Sequence, residues 1–230
     1  MKEFVSYNHQ QRLWDAQHAR RGSSGQEATI LRDVPNDSAV VFAQLLSPRS
    51  LILEAGCANG RDARYWATRG HRVIGMDFSQ VALDQMQTLA RAQGVGERIL
   101  PVLHDIAEGE LPEVAGTVGG FYARSALHVT DRALSRLAHN ITRTTGSGGV
   151  VLIEGKHISD PKIRRSQQVE KNLYADPAEQ MHLRRVWREA DLQDLAHEQH
   201  WNILDISRSV GESVFVRMVA RVTKETYYEK

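Results

Sequence analysis

The chain has 230 residues, 41% of them hydrophobic and 25% charged, with 29 basic against 28 acidic side chains and a net charge of +1. Such a balance supplies enough apolar material for a sizeable core and excludes an overall field that would draw the chain onto nucleic acid or an anionic membrane. A lone cysteine, Cys57, excludes an intrachain disulfide and a zinc cluster of several thiolates.

No stretch of 18 or more apolar residues marks a membrane span, and the first residues, MKEFVSYNHQQRLWDAQ, lack the apolar run of a signal peptide. The expectation is a cytoplasmic chain with no membrane partner. The length suits one domain over 1–230, and no internal repeat argues for a solenoid.

Residues 1–49 carry helical patterns around Leu13 and Trp14 and again at Val40, Val41, Leu45 and Leu46, the second opened by Asp37 or Ser38. From about residue 50 the apolar pattern alternates between short β-type runs and helical spacings, as parallel α/β sheets require. Leu51-Ile52-Leu53 reads as a strand, Gly56 to Gly60 as a turn, and Ala63, Trp66 and Ala67 as a helix stopped by Gly70. Val73, Ile74 and Met76 give a second strand. Ser79 caps a helix carrying Ala82, Leu83, Met86, Leu89 and Ala90 that ends before Gly94. Ile99 to Leu103 is a third strand and Phe121 to Ala123 a fourth. Asp131 caps a helix with Leu134, Leu137 and Ile141, and Val150 to Ile153 is a fifth strand. Residues 156–188 are polar and read as a cover over a site rather than a core element. A helix around Leu192, Leu195 and Ala196 and strands at Trp201–Ile206 and Val214–Val222 complete the 189–230 segment.

The informative stretch is Leu51-Ile-Leu-Glu-Ala-Gly-Cys-Ala-Asn-Gly60-Arg-Asp-Ala63. A strand ending in an acid and followed by a small-residue turn lets a ligand approach the backbone. Asp77 ends the second strand 23 positions after Glu54, placed for its carboxylate to accept both ribose hydroxyls of an adenosine. After the third strand comes His104-Asp105-Ile106, where another carboxylate can accept from an adenine amine. A dinucleotide site would want Gly-x-Gly-x-x-Gly with a pyrophosphate on the helix N-terminus. Here an acid precedes the turn, Ala58 and Ala63 take two glycine positions, and a carboxylate beside a pyrophosphate is repulsive. A cationic adenosine ligand suits the site better.

These residues resemble the class I S-adenosylmethionine-dependent methyltransferases, through Glu54-Ala-Gly56-Cys-Ala-Asn-Gly60, Asp77 and Asp105 after three successive strands. Gly60-Arg61-Asp62-Ala63 and the upstream Trp14-Asp15 look like the thiopurine and tellurite-resistance branch, where an N-terminal helix with a Trp closes over the cofactor. The chain departs from the pattern at Ala58, usually Gly, and at Gly119-Gly120, where Asp-x-Val commonly leads the fourth strand.

The resemblance implies a doubly wound, seven-stranded Rossmann-like sheet in the order 3-2-1-4-5-7-6, its last strand antiparallel. It also implies a helical lid over 1–49, a cofactor half over 50–155 and S-adenosyl-L-methionine as cofactor. On this resemblance Glu54 organises the methionine end, Gly56 and Gly60 let the cofactor lie on the backbone, Asp77 holds the ribose, and Asp105 with Ile106 reads the adenine. The remaining cofactor-binding candidates are Trp14, Cys57, Ala58, Asn59, Asp62, Phe78, Ser79, His104, Ala123 and Arg124.

Missing residues narrow the acceptor. Carbon-5 pyrimidine methylation needs a cysteine after the fourth strand, adenine amino methylation in nucleic acid needs a Pro-Pro motif, and a catechol-type metal site needs acids where Arg124 and Ser125 stand. No metal is expected. What remains is transfer to O, N or S of a small molecule, with His128 or His157 as candidate bases and Glu154 and Lys156 as further polar groups at the sheet edge.

Plainer readings stand beside these: Asp77 as a helix cap, Trp14 as a packing anchor, Tyr122 as core, and His197-Glu-Gln-His200 as a helix end with no zinc spacing. Arg164-Arg165 and Arg184-Arg185 read as solvated faces. A nicotinamide-dependent oxidoreductase, a non-catalytic S-adenosylmethionine-binding protein and a nucleic-acid acceptor at the 156–188 arginines stay as alternatives, and a homodimer stays open.

Overall fold

The computed structural model describes residues 7–23 and 34–223. Residues 1–6 and 24–33, parts of the expected lid, lie outside the described residues. The helices are α1 (Tyr7–Ser23), α2 (Asp37–Leu45), α3 (Arg61–Thr68), α4 (Gln80–Ala92), α5 (Asp131–Thr144) and α6 (Glu189–Glu198). The strands are β1 (Leu51–Ala55), β2 (Arg72–Asp77), β3 (Ile99–Leu103), β4 (Val118–Arg124), β5 (Thr145–His157), β6 (Gln167–Glu170), β7 (Leu173–Asp176), β8 (His182–Trp187), β9 (Trp201–Arg208) and β10 (Phe215–Val222).

Strands β3-β2-β1-β4-β5 pair in parallel, and β10 then joins β5 antiparallel and carries β9 on its far edge. This is the seven-strand path expected from the sequence. Two apolar layers sandwich it. Leu134, Leu137 and Ile141 of α5 and Leu192 and Leu195 of α6 pack on one face. Phe42 of α2, Trp66 of α3 and Leu83 and Met86 of α4 pack on the other.

Caps explain where the helices start. Ser79 Oγ accepts from Ala82 N–H at 3.2 Å, as read from the sequence. For α5 the cap is Thr130, whose Oγ1 accepts from Ala133 N–H at 3.3 Å, and Asp131 is the first helical residue instead. For α2 the cap position is Asn36, in extended backbone, one residue before the expected Asp37 or Ser38. Three consecutive residues of capping type leave the choice to backbone conformation.

The 156–188 cover has more order than its composition suggests. Strands β6, β7 and β8 form an antiparallel meander around Leu173, Ala175 and Leu183. Its last strand pairs in parallel with Lys156 and His157 of β5. Since β10 occupies one edge of β5 as far as Lys156 and β4 stops at Glu154 on the other, β8 takes the edge that β4 vacates. The meander therefore hangs over the carboxyl end of β4. His182 and Asp176 on one face and Arg185 on the other are all buried, and these buried polar side chains hid the strand alternation in the sequence.

Candidate functional site

A cavity of about 1260 Å³ opens at the carboxyl ends of β1, β2 and β4, lined from α1, the β1–α3 turn, the β4–α5 loop and the meander. Pockets for one drug-sized ligand span roughly 300–1,000 Å³, so this one has room for two ligands side by side.

The β1–α3 turn folds as its small residues dictate. Gly60 precedes α3 with φ +72, and a Cβ there would stand 2.2 Å from Met86 Cγ, so only glycine fits. Ala58 also has positive φ, +49, in a conformation that costs an alanine about 1 kcal/mol. Asp77 compensates by accepting the Ala58 N–H on Oδ2 at 2.9 Å, while its Oδ1 accepts from Ser79 N–H at 2.9 Å. One carboxylate thus fastens the turn after β1 to the start of α4. Each oxygen keeps a second lone pair for a ligand, and the α4 cap itself is Ser79.

Glu54 is buried at 4% exposure between Asp62 and Asp77, and its Oε2 has no hydrogen-bond partner among the described residues. Burial pushes its carboxyl well above the ordinary glutamate range; the Asp62 and Asp77 charges push the same way, while Arg61 and Arg64 oppose them. A buried acid short of a partner suits an incoming cation, such as an ammonium, which restores the ionised form. Asp77 is also raised, first by burial, with its backbone amide donors pulling it down. Burial likewise pushes the Cys57 thiol up, so it is no ready nucleophile.

Asp62, at the start of α3, is a junction. It accepts from Asn36 N–H at 3.0 Å and Asn36 Nδ2 at 2.6 Å, from the Tyr122 hydroxyl at 3.3 Å, and lies 3.3 Å from Arg61 Nε. Asp105 accepts from Ala107 N–H at 2.8 Å, which turns the chain after β3, and His104 Nε2 lies 2.9 Å from the Glu110 carbonyl. Arg124 pairs with Glu154 at 2.7 Å, and the Ser38 hydroxyl donates to the other Glu154 oxygen.

Trp14, Glu54, Gly56, Cys57, Ala58, Asn59, Asp62, Asp77, Phe78, His104, Asp105, Ile106, Arg124 and His128 all line this one cavity. Four other candidates do not. Gly60 lies beneath the turn against Met86, Ser79 is occupied as the α4 cap, and Ala123 is wholly buried in the sheet. His157 is braced behind the site, with Nδ1 2.7 Å from Ser159 Oγ and Nε2 3.2 Å from Glu189.

His128 faces the cavity, but its Nδ1 accepts the Arg185 backbone N–H at 3.1 Å. In the neutral ring the proton therefore sits on Nε2. Burial, with the nearby Arg184 and His182, lowers its pKa to about 3. Arg184 and Arg185 are not the solvated pair expected. Arg185 is 4% exposed, donating to the Val129 carbonyl at 2.8 Å and paired with Asp131, while Arg184 lines the cavity and pairs with Glu179.

Helix α1 closes the roof and ties the two halves together. Gln11 Nε2 donates to the Phe78 carbonyl at 2.8 Å and Asp15 meets Ser79, both at the β2–α4 connection. On the meander side Gln10 Nε2 donates to the Met181 carbonyl and Gln10 Oε1 accepts from Leu183 N–H, both at 3.1 Å. Gln10, Gln17, His18, His182 and Arg184 are lining residues that sequence reasoning missed, and Tyr122 lines the cavity as well as the core. A signal for the α1 set existed: Gln10, Leu13, Trp14, Gln17 and His18 recur at helical spacing, with amides and an imidazole where an apolar stripe was sought.

Among the described residues, no group of three or more His, Cys, Asp or Glu could hold a metal ion, and no helix is long and apolar enough to cross a membrane. Residues 52–149 match the family model described as a methyltransferase domain. No curated protein matches the sequence. Solved structures share the fold at low identity. A 1,6-didemethyltoxoflavin-N1-methyltransferase from Burkholderia thailandensis, with 1,6-didemethyltoxoflavin and S-adenosylhomocysteine bound, is 22% identical over 96% of this chain and 92% of its own, with a TM-score of 0.71. A TehB-like SAM-dependent methyltransferase from Corynebacterium glutamicum is 16% identical over 92% and 100%, with a TM-score of 0.62. The [4+2]-cyclase SpnF is 14% identical over 93% and 95%, with a TM-score of 0.68. Residues 52–149 thus match the model of a methyltransferase domain, and they lie in a Rossmann-like sheet that these solved structures share.

Proposed function

We propose that the protein is an S-adenosylmethionine-dependent methyltransferase that moves a methyl group onto an O, N or S atom of a small molecule. The observation that carries this reading is the buried Glu54 carboxyl, with one oxygen unpartnered among the described residues, in one cavity with Asp77 and Asp105 from the next two strand ends. A cation and an adenosine at that spacing describe the cofactor, and the acid before the turn disfavours a dinucleotide. The Burkholderia structure, which contains S-adenosylhomocysteine and a small-molecule ligand, supports the same reading.

When bound, the cofactor supplies a methyl group already activated on a sulfonium, so that an acceptor lone pair forms the new bond as the carbon–sulfur bond breaks and its electrons return to sulfur. The protein's own residues position and exclude. Glu54 holds the ammonium, Asp77 the ribose hydroxyls, and Asp105 with Ile106 the adenine edge. Helix α1 covers part of the cavity, held there by its bonds to Phe78, Met181 and Leu183. Orientation of this kind supplies much of the rate in a displacement on an activated centre. Neither His128, whose Nδ1 lone pair is engaged, nor His157, outside the cavity lining, is assigned as a base. The acceptor atom is then one that attacks as a free lone pair or arrives deprotonated.

Because the same fold also carries a cyclase, binding and transfer are tested separately. Isothermal titration with S-adenosylhomocysteine is expected to show micromolar binding, and absence of heat at millimolar ligand would overturn the reading. Tritium transfer from methyl-labelled cofactor to a panel of small heteroatom acceptors is expected to yield labelled product; binding with no transfer to any of them would favour the non-catalytic alternative.

A further inference from the structure

The half of the cavity under α1 and the meander carries features, Trp14 apart, to which the cofactor reading gives no role. Trp14 is surrounded by imidazoles: its ring is parallel to His128 within 10° at 6.3 Å between centroids, stacks on His18 at 5.9 Å and meets His182 at 4.3 Å. The His128 ring is held by its edge, with Arg185 N–H on Nδ1 and the Ser125 carbonyl facing it. An imidazole fixed by its edge offers a ligand its face, and this one stays neutral.

Two further lining residues carry buried polar atoms with no hydrogen-bond partner among the described residues: the acceptor Gln17 Oε1 and the donor Arg184 Nε. Gln17 stands one helical turn after Trp14 on α1. Arg184 stands two residues after His182, on the same face of β8, its terminal nitrogen anchored by Glu179. A flat aromatic wall flanked by one unsatisfied acceptor and one unsatisfied donor defines a complementary ligand edge.

We propose that the acceptor, within the methyltransferase reading on which this rests, is a flat fused heteroaromatic ring with an amide-like edge. The ring face lies against Trp14 among the imidazoles, the ring N–H donates to Gln17 Oε1, and the neighbouring carbonyl accepts from Arg184 Nε–H.

The test is calorimetric binding to the whole chain, with and without saturating S-adenosylhomocysteine. The probes are three fused diones, lumazine, xanthine and quinazoline-2,4-dione, and quinoxaline as a ring of like size lacking the edge. At least one dione is expected to bind about tenfold or more tightly than quinoxaline, and Gln17→Leu or Arg184→Met to reduce that preference. Trp14→Ala is expected to weaken dione and quinoxaline alike by roughly fivefold or more, with Trp14→Phe restoring most of it. Circular dichroism of each variant confirms that it folds.

No dione binding at millimolar concentration, equal binding of quinoxaline, or a dione preference that survives both edge variants would overturn the proposal. The homocysteine analogue separates the two readings: its failure to bind beside an intact dione preference refutes the cofactor assignment alone. Its binding beside an absent dione preference refutes the acceptor assignment alone.

Discussion

Replacing Glu54 with glutamine separates stability from function at one atom. Glu54 Oε2 is buried without a hydrogen-bond partner among the described residues, and its carboxyl is raised by burial and by Asp62 and Asp77. An unsatisfied buried polar group costs about 1–3 kcal/mol. A glutamine amide in its place can donate to the Asp62 or Asp77 carboxylate. For a chain of this size 1 kcal/mol moves the melting midpoint by about 2–4 °C, so Glu54→Gln is expected to raise it by roughly 2 °C or more at pH 8.

The pH dependence has a definite sign. A carboxyl raised in the folded state holds its proton more tightly than in the unfolded chain, so its cost grows as pH rises above the ordinary glutamate value of about 4.3. The gain from Glu54→Gln should therefore shrink at pH 5. The same substitution deletes a charge-assisted hydrogen bond to the ligand ammonium, worth about 1.5–3 kcal/mol, or roughly 10–150-fold in affinity for S-adenosylhomocysteine. Differential scanning calorimetry at the two pH values and isothermal titration read both effects. A midpoint that falls, or a gain independent of pH with affinity within about twofold, would refute the reasoning.

Other substitutions probe the frame around that acid. Gly60→Ala places a Cβ against Met86 at positive φ and is expected to cost about 2 kcal/mol or more in urea unfolding. Asn36→Ala removes one of the donors to buried Asp62 and should cost about 1.5 kcal/mol or more by the same assay. The His128 ring, with a folded pKa of about 3, should stay neutral in NMR titrations throughout the range where an ordinary imidazole gains its proton near 6.5. Because the unfolded chain then binds the extra proton first, this residue's contribution to stability is lost as pH falls from about 6.5 towards 3. His128→Gln should flatten that part of a stability profile.

The half built from β1, β2 and their turns was legible in the sequence because each of its features has a local cause. Leu51-Ile-Leu and Val73-Ile are buried strands that read as apolar runs, Ser79 caps its helix through its own hydroxyl, and Gly60 stands where no side chain fits. The half under α1 and the meander was not legible, because its residues meet only in three dimensions. His182 and Arg184 face a polar cavity while Arg185, on the other face of the same strand, meets the β4–α5 loop, so no apolar alternation announced it. Trp14 could be read as lid or anchor, and the structure makes it a wall of the cavity through ring contacts 114 and 168 residues distant, stacked on His128 and tilted against His182. His157 was named for its place after the fifth strand, yet it points to Ser159 and Glu189 because β8 pairs with it at that position.

The most direct measurement is a crystal structure of the protein grown with S-adenosylhomocysteine. The ligand is expected in this cavity, with its ammonium within hydrogen-bond distance of Glu54, both ribose hydroxyls on Asp77 and the adenine edge at Asp105. A ligand lying elsewhere, or one whose ribose and ammonium miss Asp77 and Glu54, would contradict this expectation.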